Sequence, residues 1–293
     1  MNPPRSALGA PPPGGAAGGP AEPDPRRLLG KRVRLSPAFD PTLLSRIEDA
    51  GLNASAPPQQ RWIDGWLVRF SPGKAKRARC VNALATGRLP LAHKLALAQT
   101  LFDEMHLPVV LRITPFSRPH GLDGELAALG WARIDDTRVM VRTSIEALPD
   151  EPLPKGLAWQ TLGHSAFAQA VGQLRGSALS QSQAHAQRLE LSPVPFQAHA
   201  IRRESDGAVL ACGQFAREAS LVGLYDIFTA EAMRGQGLAR RLCTKLLTTA
   251  RDAGAREAYL QVETDNLPAR SLYRTLGFAD GYAYHYRTPA ALA

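Results

Sequence analysis

A mixed α/β fold, a central sheet flanked by helices, is predicted by three features of this sequence. Strand-like and helix-like patterns alternate from about residue 43 to the end of the chain. Residues 222–251 join a strand, a glycine-rich turn and an amphipathic helix. A short motif, helix then Leu-Gly-aromatic then strand, occurs twice, at Leu129-Gly130-Trp131 and at Leu276-Gly277-Phe278. A chain of 293 residues exceeds the usual single small domain, and two domains are expected.

The elements follow in order. Residues 1–29 are dominated by Pro, Gly and Ala, which bury too little apolar surface to offset chain ordering, so a disordered tail is expected. Residues 43–50 suit a short helix, started near Asp40-Pro41 and stopped by Gly51. Residues 66–70 and 78–84 read as strands joined by Ser71-Pro72-Gly73. A long amphipathic helix over 91–105, a strand over 109–114, a helix over 122–129 ended by Gly130 and an alternating strand over 131–142 complete the first half. Three prolines and no periodicity mark residues 146–156 as a linker between a domain at 30–145 and one at 157–293. Beyond it come helices over 165–174 and 181–189, a hairpin of 198–203 and 208–215 across Asp206-Gly207, and a strand over 222–229. The repeated motif makes residues 30–145 a degenerate copy of the second half.

The formal charge of +9 admits an anionic partner. The basic residues are scattered and lack aromatic interleaving, which argues against a nucleic-acid-binding module. Cys80, Cys212 and Cys243 have neither metal-ligand nor redox-motif spacing, no H-E-x-x-H is present, and no metal is expected. Cys212 and Cys243 lie in apolar runs, as buried thiols in a reducing cytoplasm would. No apolar run approaches the ~20 residues that span a bilayer, and the first residues do not read as a secretory signal. A soluble cytoplasmic protein is expected, with its oligomeric state open.

The chemistry is concentrated at Arg234-Gly235-Gln236-Gly237-Leu238-Ala239, where the strand hands over to the helix. Glycines here let backbone N–H groups approach a ligand, and the positive end of the helix dipole suits a phosphate or pyrophosphate. A Walker loop is excluded because Gly73-Lys74 is followed by Ala75, and a dinucleotide fingerprint because its third glycine position holds Arg240. What remains resembles the acyl-CoA site of the GNAT superfamily of N-acyltransferases, whose pattern is Arg or Gln, two residues, Gly, one residue, Gly or Ala. Arg234, Gly237 and Ala239 fit it. A strand over 258–263, then Asn266, Ala269, Tyr273 and Leu276-Gly277-Phe278, follow in the family's order.

The resemblance implies tandem GNAT-like domains, each a mixed, mostly antiparallel central sheet flanked by helices, the second catalytic. It implies acetyl-CoA as co-substrate and a primary amine as acceptor, joined by direct attack. By position, it implies pyrophosphate contacts from the Arg234 to Ala239 backbone, contacts to pantetheine and the thioester oxygen near Phe228 and Thr229, and Asn266 with Ala269 on the pantetheine side. For Asn266 a turn or cap before Pro268 is the alternative. Tyr273 is the candidate acid, since a phenol is protonated at neutral pH and can donate to a departing thiolate. Its alternative is core packing. For the base, Asp226 is a carboxylate in an otherwise apolar strand, which is costly unless paired or functional, and Glu263 is the other candidate. A structural ion pair or a water relay is the alternative for both. The first half lacks the phosphate loop, with residues 81–90 in its place, so it is expected to serve as a partner surface or substrate wall. Acceptor specificity is expected in residues 162–195 and in the first half. A non-enzymatic acyl-CoA sensor is the rival reading.

Overall fold

The computed structural model describes residues 34–71, 73, 75–149 and 151–292. The tail expected over residues 1–29 lies outside the described residues, as does Pro72 of the expected turn.

Helix α1 (Pro41–Ala54) starts at Asp40, whose carboxylate accepts the Thr42 N–H at 2.9 Å while Pro41 takes the first helical position. It runs through Gly51, which the sequence reading made its stop. Ser55 ends it instead, with its N–H and hydroxyl both donating to the Gly51 carbonyl. Gly51 answers a packing need, because a Cβ there would stand 3.0 Å from Gln261 Nε2. Strands β1 (Gln59–Ile63) and β2 (Trp66–Phe70) then form a hairpin across Asp64 and Gly65, both at positive φ. β1 escaped the sequence reading because four of its five residues are exposed and carry no apolar alternation. The strand expected to begin at Ala78 is preceded by a short 3₁₀ turn (Lys76–Ala78), and β3 spans Val81–Ala83.

Thereafter the two halves run in parallel. In the first, β3, α2 (Leu91–Glu104), β4 (Leu111–Ile113), α3 (Leu122–Ala128) and β5 (Trp131–Arg142) follow one another. The second opens with β6 (Leu157–Leu162), α4 (His164–Arg175), α5 (Leu179–Glu190), β7 (Phe196–Arg203) and β8 (Val209–Glu218). It continues through β9 (Leu221–Thr229), α6 (Leu238–Asp252), β10 (Glu257–Glu263), α7 (Leu267–Thr275) and β11 (Ala279–Pro289). The repeated Leu-Gly-aromatic motif is the C-terminal stop of α3 and α7. Gly130 (φ 77°) and Gly277 (φ 80°) take the left-handed conformation that turns the chain into β5 and β11.

All eleven strands form one sheet in the order β1-β2-β3-β4-β11-β5-β10-β9-β8-β7-β6. The pairs β3–β4 and β9–β10 are parallel, each closed by a helical crossover, and the rest are antiparallel. The last strands are exchanged: β5 of the first half lies between β10 and β11, and β11 of the second lies between β4 and β5. Each half therefore completes the other's hydrogen-bond ladder.

Helix α6 packs its apolar stripe on the second half of the sheet, with Leu238, Leu242, Cys243, Leu246, Leu247 and Ala250 buried. Each leucine so buried contributes about 1.5–3 kcal/mol. A second cluster joins Leu44 and Ile47 of α1 to Val139 and Val141 of β5 and Tyr282 and Tyr284 of β11, so one core crosses the midline of the chain. All three cysteines are buried and unpaired. Among the described residues no helix is long and apolar enough to cross a membrane.

Candidate active site

Strands β9 and β10 pair only from Leu221–Glu257 to Leu224–Leu260, then part. The cause is a bulge: Asp226 takes φ 51°, and the β8–β9 register slips between Cys212 and Gln214. Gly213, opposite the bulge, leaves room for it, since a Cβ there would meet Ile227 Cδ1 at 2.5 Å. Past the point where β9 leaves β10 opens a cleft of about 560 Å³, walled by Phe228 and Thr229 of β9 and by Asn266, Ala269 and Tyr273 of the α7 segment.

Arg234, Gly235, Gly237, Leu238 and Ala239 close one end of this cleft. The Arg234 N–H donates to the Glu231 carbonyl, the Arg241 N–H opens the helix ladder to the Gly237 carbonyl at 3.2 Å, and the N–H groups from Gly235 to Arg240 donate to no described backbone carbonyl. Those from Gly237 to Arg240 are the orphan donors of the α6 N-terminus, and Gly235 and Gln236 precede them in the loop. Gly235 (φ 76°) and Gly237 (φ 77°) both need the left-handed region, which is why glycine stands there. The Gln236 side chain is turned away, its Nε2 donating to the Ala232 carbonyl at 3.3 Å, so only its backbone belongs to the loop. Arg234 is well exposed and lies 5.9 Å from the Phe228 ring centroid.

Tyr273 is 8 % exposed, packs edge-on against Phe278, and lines the cleft. Burial pushes its phenol above the ordinary tyrosine range, so it keeps its proton. The Asn266 Oδ1 accepts the Ala269 N–H at 3.2 Å, which makes it the cap of α7 as well as a wall residue. Thr229 Oγ1 is buried with no partner among the described residues.

Asp226, one of the two candidate bases, lies outside this cleft and is already committed. Its Oδ1 accepts from Arg175 Nη2 at 2.9 Å and its Oδ2 from Gln214 Nε2 at 2.8 Å, and His185 Nε2 stands 3.3 Å from Oδ2. Burial pushes its carboxyl up, but His185 and the Arg175 guanidinium outweigh that and hold it well below the usual carboxylate range. These contacts tie Arg175 and Gln214 to the bulge.

Residues 169–278 match the Acetyltransferase (GNAT) family. They form a GNAT acetyltransferase domain. The chain is 28% identical over 230 residues to the uncharacterized N-acetyltransferase YobR of Bacillus subtilis (strain 168), covering 78% of this chain and 91% of that protein. Two solved structures share its fold. One is a GCN5-related N-acetyltransferase from Kribbella flavida, with TM-score 0.63 and 17% identity over 84% of this chain and 95% of that one. The other is a tandem GNAT protein from the clavulanic acid biosynthesis pathway, with TM-score 0.58 and 15% identity over 87% and 97% of the two chains.

The cleft of the GNAT domain continues into a second chamber of about 600 Å³, with Ile227, Phe228, Asn266, Ala269 and Tyr273 common to both. Both halves wall it: Lys76, Arg77 and Asp135 come from the first, Gln261, Glu263, Tyr284 and Tyr286 from the second. Of residues 162–195, where acceptor specificity was expected, only Arg175 lines this chamber. Glu263, the other candidate base, is exposed and lines it. Arg77, Tyr284 and Tyr286 were missed by sequence reasoning, because a basic pair in a loop and alternating tyrosines in a terminal strand carry no signal until the strand exchange places them together.

The corresponding position of the first half is filled from within. Between β3 and α2, the Asp64 carboxylate accepts the N–H of Arg88 (2.8 Å) and Leu89 (2.8 Å), and Lys94 Nζ lies 3.5 Å from it. Gly87 (φ 72°) admits it, since a Cβ there would stand 2.1 Å from Asp64 Oδ2. A carboxylate of the chain thus sits where the GNAT domain keeps open amides. Those two amide bonds hold its pKa low.

Proposed function

We propose that the protein transfers the acetyl group of acetyl-CoA to a primary amine by direct attack, with residues 157–293 as the catalytic domain and residues 30–145 as a degenerate copy that walls the acceptor chamber. The observation that carries this reading is the cleft past the point where β9 leaves β10, with amides that donate to no described backbone carbonyl at one end and a protonated phenol beside it. The residues fit the co-substrate: amides and helix dipole suit its diphosphate, and the β9 backbone near Phe228 and Thr229, with Asn266 and Ala269, suits a pantetheine arm.

Acetyl-CoA supplies an activated acyl group when bound. The chain's own residues supply position and protons. The acceptor amine enters from the chamber on the side opposite the loop, so the two substrates meet at Phe228 and Tyr273, which both spaces share. Glu263 takes the amine proton, directly or through water. Tyr273 hydrogen-bonds the sulfur as charge develops there. A thiolate desolvated in this pocket is itself made more basic, which offsets the raised pKa of the phenol.

Saturable thermal stabilisation by acetyl-CoA, together with release of CoA thiol in the presence of an amine panel, tests the proposal. Stabilisation with no thiol release from any amine would leave a CoA-binding sensor as the better reading, and no stabilisation would remove both.

A further inference from the structure

Arg77 is the one cation of the chamber's first-half wall without an acidic partner. Lys76 pairs with Asp135, and Arg175 with Asp226, whereas no described carboxylate lies within 4.0 Å of Arg77. Its only described side-chain bond runs from Nη1 to the Tyr284 hydroxyl at 3.3 Å, and its Nε is buried with no partner. The Tyr284 O–H is spent on Gln261 Oε1 at 2.8 Å, so the phenol oxygen faces Arg77 as an acceptor only. Arg112 stacks 4.0 Å from the centroid of the same ring, with its own charge met by Glu48. A guanidinium has five N–H donors, and one engaged with a neutral phenol leaves the charge and most donors unmatched. Burying a cation in that state is costly unless an anion arrives to meet it.

Acidic side chains are gathered nearby. Glu263 and Asp135 line the chamber, and Asp136 and Asp265 stand beside them. Asp136 is paired with Arg133 and Asp135 with Lys76, while neither Glu263 nor Asp265 has a described cationic partner. The chamber therefore offers a carboxylate to an ammonium and a guanidinium to an anion.

We infer that the acceptor is an amine bearing a carboxylate, which the Arg77 guanidinium holds while the amino group is presented to the acyl donor. This rests on the acetyltransferase reading above and narrows its substrate class. A planar carboxylate matches the fork of a guanidinium in two parallel N–H···O bonds; a phosphate would match it too, and the phosphate arm of the test separates the two.

The test is steady-state thiol release from acetyl-CoA by full-length protein, with ω-amino acids from β-alanine to 6-aminohexanoate set beside their primary amides, and phosphoethanolamine as the phosphate arm. The acids should exceed the amides in kcat/KM by about tenfold or more, as loss of a charge-assisted bidentate contact implies. Arg77→Gln should bring that ratio close to one, and Arg77→Lys should restore part of it. Equal use of acid and amide by the wild type, a ratio unmoved in Arg77→Gln, or preference for phosphoethanolamine would overturn the inference. If no amine in the series turns over, thermal shift with the N-acetylated acids against their amides decides it, and no advantage of the acids in wild type over Arg77→Gln overturns it. Failure to bind acetyl-CoA would instead count against the transferase reading and leaves the product-binding arm to judge the carboxylate site.

Discussion

Tyr273 and Asp226 show how one residue's surroundings decide its chemistry. The phenol is buried against Phe278 yet borders the cleft, and burial raises its pKa above the ordinary tyrosine range, so it carries its proton at neutral pH. Tyr273→Phe should lower kcat by about 10²-fold, the lower end of what general acid catalysis contributes, while calorimetric affinity for acetyl-CoA stays nearly unchanged. Equal loss in both quantities would make Tyr273 a packing residue. Asp226 also lines the second chamber, but its oxygens are engaged by Arg175 and Gln214, with His185 3.3 Å away. Asp226→Asn should cost about 2 kcal/mol of stability in denaturant unfolding, because Arg175 loses its anion at a site still one-fifth exposed. Its activity loss should follow the distorted bulge, with no change in the pH at which kcat/KM falls on the acid side. A shift of that limb would reinstate Asp226 as the base.

In the proposed function, the loop between β9 and α6 is the element on which co-substrate binding turns. Gly237→Glu places an acidic group and a positive-φ side chain where open amides stand, and affinity for acetyl-CoA should fall by about 100-fold or more in titration calorimetry. Gly235→Ala is the companion. It carries the same backbone strain, roughly 1–2 kcal/mol, but its Cβ points into open space, so its loss should be much smaller. Equal losses would mean that backbone strain, rather than access to the amides, governs binding. The contrast with the first half argues the same point, since there Asp64 already occupies the amides of Arg88 and Leu89. This element was the most legible part of the sequence: the apolar stripe of α6 and two glycines needing positive φ are local requirements, written in consecutive residues. Gly51 misled for the complementary reason, because its absence of a side chain serves Gln261 from a distant strand rather than the end of α1.

At the scale of the whole molecule, the exchange of β5 and β11 binds the halves into one sheet. Asp123 of α3 strengthens it, with its Oδ1 accepting from Arg287 Nε at 2.8 Å and lying 2.8 Å from His285 Nε2, both on β11. Burial pushes the Asp123 carboxyl up, but the His285 and Arg287 hydrogen bonds outweigh it and leave the group far below its ordinary range. A depressed folded-state pKa contributes stability above the unfolded value of ~3.9, and that stability is lost as pH falls toward the folded value. Residues 34–292 should therefore unfold in a single transition by both fluorescence and circular dichroism. Asp123→Asn should lower its stability by about 2 kcal/mol at neutral pH and flatten its decline below about pH 5. Two separate transitions would show that the halves are independent despite the shared sheet.

Residue order alone determined the strand, loop and helix of the acyl-CoA site, the Leu-Gly-aromatic stops and the repeat they mark, because periodicity, capping and positive φ are properties of neighbours in the chain. Only the tertiary structure decided that the terminal strands change places, that Asp226 meets Arg175 and His185, and that Arg77 faces Tyr284 across 207 residues. Those pairings are chosen by burial and hydrogen bonding between distant segments, whose free energy exists only once the sheet has closed around them.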